Sequence, residues 1–426
     1  MSVSPALGAD ALAEIERRLA AADRRLSDLY PGEDGRRQPV HTVYMPADQF
    51  VTGTAADWGT RALAAAGEAG GLARLAGLLG LQDSATLAEL VERKLRSEPI
   101  EDLRLDFEDG YGDRGDAAED ADAVRAALAV RDAVVEGTAP PFIGIRFKSF
   151  EAPTRARGLR TLDLFVGGLV AAGGLPDGLV LTLPKVTSVE QVEAMVFAVE
   201  ELERAHDLTP GRLRFEVQME TPQLILSDDG TVPSARLIHA GRGRVSSLHY
   251  GTYDYSASLG IAAAYQSMEH PAADYAKSVM QVAVAGTGVH LSDGSTNILP
   301  LGDPENRVAA WRLHARLVRR HLERGIYQGW DLHAAQLPTR FLATYSFYRE
   351  GFGAAATRLY NYVHQVESSV MDEPATARAL ALFIYRGLVC GAFTAEDVQS
   401  QAGVDEAQLR SIALNIPLNS PEGSHV

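Results

Sequence analysis

Short apolar runs that stop abruptly at charged or glycine-rich residues recur along this chain, and their spacing narrows the folds open to it. LRFEVQMET carries Glu220 near its C-terminal end, and VSSLHYGTYDYSASLG carries Asp254 after a run built the same way. The 33 residues between them (positions 221 to 253) hold the rest of one unit, a crossover helix and a second strand. That is the spacing of neighbouring parallel strands. HTVYMPA, LRLDFEDGYG, FIGIRFKSF and GLVLTLPKV come before this pair, and AVAGTGVHLSDG and GWDLHAAQLP come after it. A parallel series of this kind predicts an α/β chain folded as a (β/α)8 TIM barrel, with its chemistry gathered where the strands end.

Residues 1–40 are expected to form an N-terminal helical segment, residues 41–340 the barrel, and residues 341–426 a C-terminal helical extension. In the first segment Leu12, Ile15, Leu19 and Leu26 fall at near-helical spacing among Arg, Asp and Glu, which predicts an amphipathic helix packed outside the barrel. The stretch 57–99 is long for one crossover and reads as at least two helices inserted after the first strand. Aromatic stripes beyond Arg340 predict helices that pack together or form an oligomer interface.

Several residues at the ends of these runs carry candidate chemistry. If the strands holding Glu220 and Asp254 finish at one rim, the two carboxylates converge there, an oxygen-rich setting suited to Mg2+ or Mn2+. Helix capping and pairing with arginine are the alternative uses of such acids. Glu108 and Asp109 share a turn with Asp106 and can be solvated, cap a helix or serve a site. Strand alternation turns Arg146 and Lys148 away from Ile143, Ile145 and Phe147. A buried Arg146 needs an anionic partner, either Glu108 or Glu220 or a substrate carboxylate clamped by its planar guanidinium. Lys185 can orient an anion, pair with Glu220 or form an imine, and His333 can bind substrate or hold the last strand through a core hydrogen bond.

Composition excludes other classes. A net charge of -16 with no basic tract argues against nucleic acid as a partner. There is no run of apolar residues long enough to span a membrane, and no basic start leading into an apolar signal segment. The one cysteine, Cys390, lies in an apolar helical context, so it is expected to be a buried thiol, and a cytoplasmic location follows from this cysteine usage.

The ordered set of motifs resembles the HpcH/HpaI aldolase and citrate lyase beta subunit family, and more distantly malate synthase, over roughly residues 40 to 340. Met219, Glu220 and Thr221 stand where that family has Ile-Glu-Thr. Gly251, Asp254, Leu259 and Gly260 match its Gly-x-x-Asp-Leu-x-x-x-Leu-Gly segment, with Tyr255 in place of the first leucine. Glu108 and Asp109 match an acidic pair whose next residue, Ala in the family, is Gly110 here. Arg146 matches a Val-Arg motif, Lys185 a Leu-Pro-Lys-Val strand, and His333 and Gln336 the final His-Pro-x-Gln strand, with Ala334 replacing the proline.

The resemblance implies Glu220 and Asp254 as metal ligands, with Asp109 or Glu108 arranging the bound water. It implies Arg146, Asp109 and Lys185 as catalytic groups and Arg146, Glu108, Lys185 and His333 as substrate contacts. The reaction implied is reversible aldol or Claisen chemistry on a 2-oxo acid, a hydroxyacid or an acyl-CoA through a Mg2+-stabilised enolate, in a homo-oligomer (trimer or hexamer). An acyl-CoA thioester hydrolase on the same scaffold and a non-catalytic metabolite-binding barrel are the alternative readings.

Overall fold

The computed structural model describes residues 6–366 and 373–416, so residues 417–426 of the expected C-terminal extension lie outside the described residues. Eight parallel strands follow one another around the chain: β1 (His41–Pro46), β2 (Asp102–Asp106), β3 (Phe142–Arg146), β4 (Leu181–Leu183), β5 (Phe215–Met219), β6 (Val245–Tyr250), β7 (His290–Ser292) and β8 (Gly329–Asp331). From β1 to β7 each strand pairs with the next in sequence, and β8 returns to pair with β1. A parallel bridge between Ser292 and Gln328 closes the ring between β7 and β8. The eight apolar runs of the sequence are these eight strands, and the fold is the expected TIM-barrel type.

Alternation along the strands separates two faces. Phe215, Val217 and Met219 of β5, like Leu103 and Leu105 of β2, are buried against the surrounding helices in one continuous apolar core. The opposite face of the same strands carries Asp102, Arg104 and Asp106 on β2, and Glu216 and Gln218 on β5. The barrel interior is therefore polar over much of its depth, in place of the branched aliphatic layers usual for this architecture. Arg104 at its centre is fully buried, donates from Nη1 to Asp102 at 2.6 Å and from Nη2 to Glu216 at 2.8 Å, and reaches Thr182 Oγ1 from Nε at 2.9 Å.

Three helices, Thr54–Glu68, Leu72–Leu78 and Ser84–Ser97, occupy the expected insertion after β1. The long helix Leu337–Val363 shares the barrel's apolar core through Phe341, Leu342 and Tyr345. It is fixed to the strand ends by Arg340, whose guanidinium meets both oxygens of Asp331 at 3.0 Å while His41 and His314 hold the same carboxylate. Cys390 is buried, as its context predicts.

The N-terminal helix departs from expectation. Helix α1 (Ala9–Leu29) has no buried residue, and Leu12, Ile15, Leu19 and Leu26 are all exposed. Its apolar stripe forms as the spacing requires, but within one chain it does not pack on the barrel.

Candidate active site

Every sequence-predicted site residue follows a strand on the same rim. Arg146 is the last residue of β3, Glu108 and Asp109 follow β2, Lys185 follows β4, Glu220 follows β5, and Asp254 lies in the short helix Thr252–Ser258 after β6. Six of the seven are linked by direct contacts or by mutual electrostatics. His333, after β8, is set apart from them.

Arg146 is held first by Asp106. Its Nε and Nη2 each lie 2.7 Å from one oxygen of that carboxylate, a two-pronged pairing that the parallel register creates by setting Asp106 opposite Arg146. Burial alone would raise the Asp106 carboxyl, yet Arg146 and the backbone N–H groups of Glu108 and Gly110 hold it below the usual carboxylate range. Gly110 is needed here, because a Cβ at that position would come within 2.6 Å of Asp106 Oδ2. The remaining guanidinium corner, Nη1, lies 3.3 Å from Glu108 Oε2 and 3.4 Å from Gln218 Oε1, with the Tyr44 ring below at 4.8 Å. Glu108 is the contact anticipated for Arg146, whereas Asp106 is the principal one.

Lys185 gathers the acids. Its Nζ lies 2.9 Å from Glu108 Oε1, 2.7 Å from Asp109 Oδ1 and 3.9 Å from Asp254 Oδ1. Burial works to lower its pKa, but the carboxylates of Glu108 and Asp109 outweigh burial and raise it, so the group is a fixed cation. An imine-forming lysine needs the neutral amine, which this environment opposes. Pairing of the Lys185 side chain with Glu220 was one sequence expectation. The structure makes that link through the backbone, where the Lys185 N–H donates to Glu220 Oε1 at 2.6 Å from a residue at φ 50°.

Glu220 is 2% exposed. Burial first, then repulsion from Glu108 and Asp254, pushes its carboxyl up to about 8, while Arg146 and the Lys185 N–H pull the other way too weakly to offset them. Gly251 makes room for it, since a Cβ there would fall 2.6 Å from Glu220 Oε2. Burial also raises Glu108, whose Oε2 is enclosed and has no hydrogen-bond partner among the described residues. Asp109 and Asp254 are far more open, with side chains 54% and 46% exposed. The rim thus has a deep layer, Glu220, Glu108 and Arg146, and a solvent-facing layer, Asp109, Asp254 and Lys185.

His333 caps the short helix Ala334–Gln336, accepting from the Ala335 N–H at 3.1 Å, and its Nε2 lies 3.4 Å from Arg61. Arg157 and Arg160 pair with Asp120 in the neighbouring helix and are not aimed at the rim. His270 caps its own helix by accepting from the Ala272 N–H. Asp293 is paired with Lys277 at 2.9 Å. Asp106 is the site residue whose part sequence reasoning missed. The signal lay in β2, where charged residues alternate as Asp102, Arg104 and Asp106 on the barrel's inner face.

A parallel eight-stranded barrel with paired carboxylates and a braced arginine at the C-terminal ends of its strands defines the class of protein. The chain belongs to the family described as domain of unknown function DUF6986, whose model matches residues 19–415. No curated protein matches the sequence. Among solved structures, the chain is similar to a malate synthase of Haloferax volcanii in a lead(II) complex, at 14% identity, over 90% of this chain and 100% of that one, with a TM-score of 0.49. It is also similar to the citrate lyase beta subunit of M. tuberculosis complexed with oxaloacetate and magnesium, at 18% identity, 73% and 99% coverage and a TM-score of 0.42. A HpcH/HpaI aldolase/citrate lyase family protein of Burkholderia cenocepacia gives 14% identity, 74% and 93% coverage and a TM-score of 0.39.

Proposed function

We propose that this chain is a Mg2+-dependent carbon–carbon lyase or aldolase acting on a small 2-oxo acid or hydroxyacid, with a CoA thioester as the candidate second substrate. The observation that carries the reading is the charge imbalance at Glu220. A carboxylate enclosed beside two others, with one backbone N–H as its hydrogen-bond donor, is costly in the absence of a further cation.

Among the described residues no three Asp, Glu, His or Cys side chains form a protein-only metal cluster. Mg2+ does not require one, since it is commonly held by one or two carboxylates with water and substrate oxygens completing the shell. Glu220 and Asp254 would hold it, and Mn2+ would fit the same oxygen donors. When bound, the ion supplies Lewis-acid polarisation of a 2-oxo acid.

The chain's own groups divide the remaining work. Arg146, kept rigid by Asp106, offers Nη1 to a substrate oxygen that gains negative charge as the carbon–carbon bond forms or breaks. Lys185 presents a fixed positive charge that orients a substrate carboxylate and also draws Asp109 and Glu108 together. Glu108, raised by burial, is the group suited to carry a proton beside Arg146. Asp109, at the solvent edge, orders water beside it. His333 offers a substrate contact from the far side of the rim.

The test is a Mg2+-dependent screen by mass spectrometry with pyruvate, oxaloacetate and glyoxylate, each with and without acetyl-CoA or small aldehydes. A product with a new carbon–carbon bond, or cleavage of the matching hydroxyacid or thioester, is expected only with the metal. Product formation that persists unchanged in EDTA, or no product from any combination, would count against the assignment.

A further inference from the structure

The opposite end of the barrel holds a second polar cavity, of about 680 Å3, at the N-terminal ends of the strands. That volume lies within the range of about 300–1,000 Å3 usual for small-molecule sites. Arg212 and Arg214, just before β5, form one wall, and Ser246 and His249 of β6 form another.

The lining is unusual in what it leaves unpaired. No hydrogen bond or ion pair joins the Arg214 guanidinium to any described residue, and its Nε is enclosed. Arg212 donates to the carbonyl oxygens of Pro176 and Leu175 but has no carboxylate within ion-pairing distance among the described residues. Burial pushes the Arg212 pKa down, a pull that the more distant Asp177 and Glu203 do not cancel. In a chain of net charge -16, two nearby arginines without an acidic partner are a departure from the surrounding pattern.

A further polar group in the same lining is also unsatisfied. Ser246 Oγ is enclosed without a partner. His249 Nδ1 accepts from Trp330 Nε1 at 3.1 Å, which places the proton of the neutral ring on Nε2, and that atom faces Glu216 Oε2 at 3.2 Å. Arg36 is matched with Asp34, Arg37 with Glu98 and Glu101, and Arg104 with Asp102 and Glu216, which leaves the exposed Asp177 as the carboxylate of the lining outside these pairs. Buried donors without acceptors call for a ligand that supplies acceptors.

We propose that this cavity is a binding site for a small oxyanion, a phosphate or carboxylate group held by Arg214 and Arg212 with Ser246 as a further donor. The site lies at the other end of the barrel from the carboxylate rim, so it stands or falls independently of the lyase reading.

Calorimetry of the full chain in EDTA, with inorganic phosphate in one arm and malonate in the other, tests it. One anion per chain is expected, and the tighter arm identifies the preferred group. Arg214→Gln should weaken binding by about tenfold or more, and Arg214→Lys should retain part of the affinity. Ser246→Phe, which replaces one donor by a bulky ring beside the arginines without removing a charge, should abolish binding and covers the case in which Arg214→Gln fails to fold. Absence of binding by both anions up to about 10 mM, or equal affinity in the wild type and a folded Arg214→Gln or Ser246→Phe chain, would overturn the assignment.

Discussion

Glu216 and Glu220 occupy the same inward column of the barrel, four residues apart at β5, and their environments push them in opposite directions. Burial raises both. At Glu216 the buried Arg104, together with His249 and Thr182, more than offsets burial and brings the carboxyl down to about 2. At Glu220 the nearest acids add to burial, and the carboxyl rises to about 8. Around Glu216 the charge is matched by Arg104 and contributes structure, although burial and Glu216 raise the neighbouring Asp102 carboxyl despite the same arginine. The upper rim is an incomplete charge network, and its shortfall is of positive charge. In one protein, with two glutamates on one strand, the unsatisfied member marks the candidate site.

The comparison can be broken most severely from its balanced side. Arg104→Met would leave Asp102 and Glu216 buried without their cation, and a loss of about 3–5 kcal/mol in urea unfolding is expected. A loss below about 1 kcal/mol would show that the lower network is not balanced by Arg104. On the rim, Arg146→Lys keeps the charge but not the two-pronged pairing with Asp106. Turnover on any substrate found by the screen should fall by about a hundredfold with Mg2+ affinity largely kept, and unchanged kinetics would remove Arg146 from the reaction.

Acid titration sharpens the contrast further. Glu216 has a folded-state pKa of about 2 against an ordinary value of 4.5, so the stability it contributes is fully present above pH 4.5 and is lost as pH falls towards 2. The stability gap between wild type and Glu216→Gln should therefore narrow below pH 4.5 by up to about 1.4 kcal/mol per pH unit. A gap independent of pH would contradict the depressed carboxyl.

Much of this was legible before the structure. Eight apolar runs became eight strands in register, because strand length and crossover spacing are local properties of the sequence. Glu220, Asp254, Glu108, Asp109, Arg146 and Lys185 could be placed on one rim, since each ends or follows a parallel strand. What could not be read was the set of partners. Asp106 meets Arg146 through cross-strand register, which no single segment encodes. The bond from Lys185 to Glu220 comes from a left-handed backbone at Lys185 that the residue type does not announce. The stripe of α1 predicted a helix correctly, but an amphipathic pattern does not say what covers it, and here the barrel of the same chain does not.

The most direct test of the central claim is thermal unfolding of the wild type and Glu220→Gln at pH 7, each with EDTA and with Mg2+. A carboxyl held near 8 when folded and at 4.5 when unfolded penalises the fold at this pH, so the amide should stabilise the metal-free chain by up to about 3 kcal/mol. Mg2+ should raise the melting temperature of the wild type and leave that of Glu220→Gln unchanged. An equal Mg2+ shift in both chains, or a metal-free Glu220→Gln less stable than the wild type, would contradict the account.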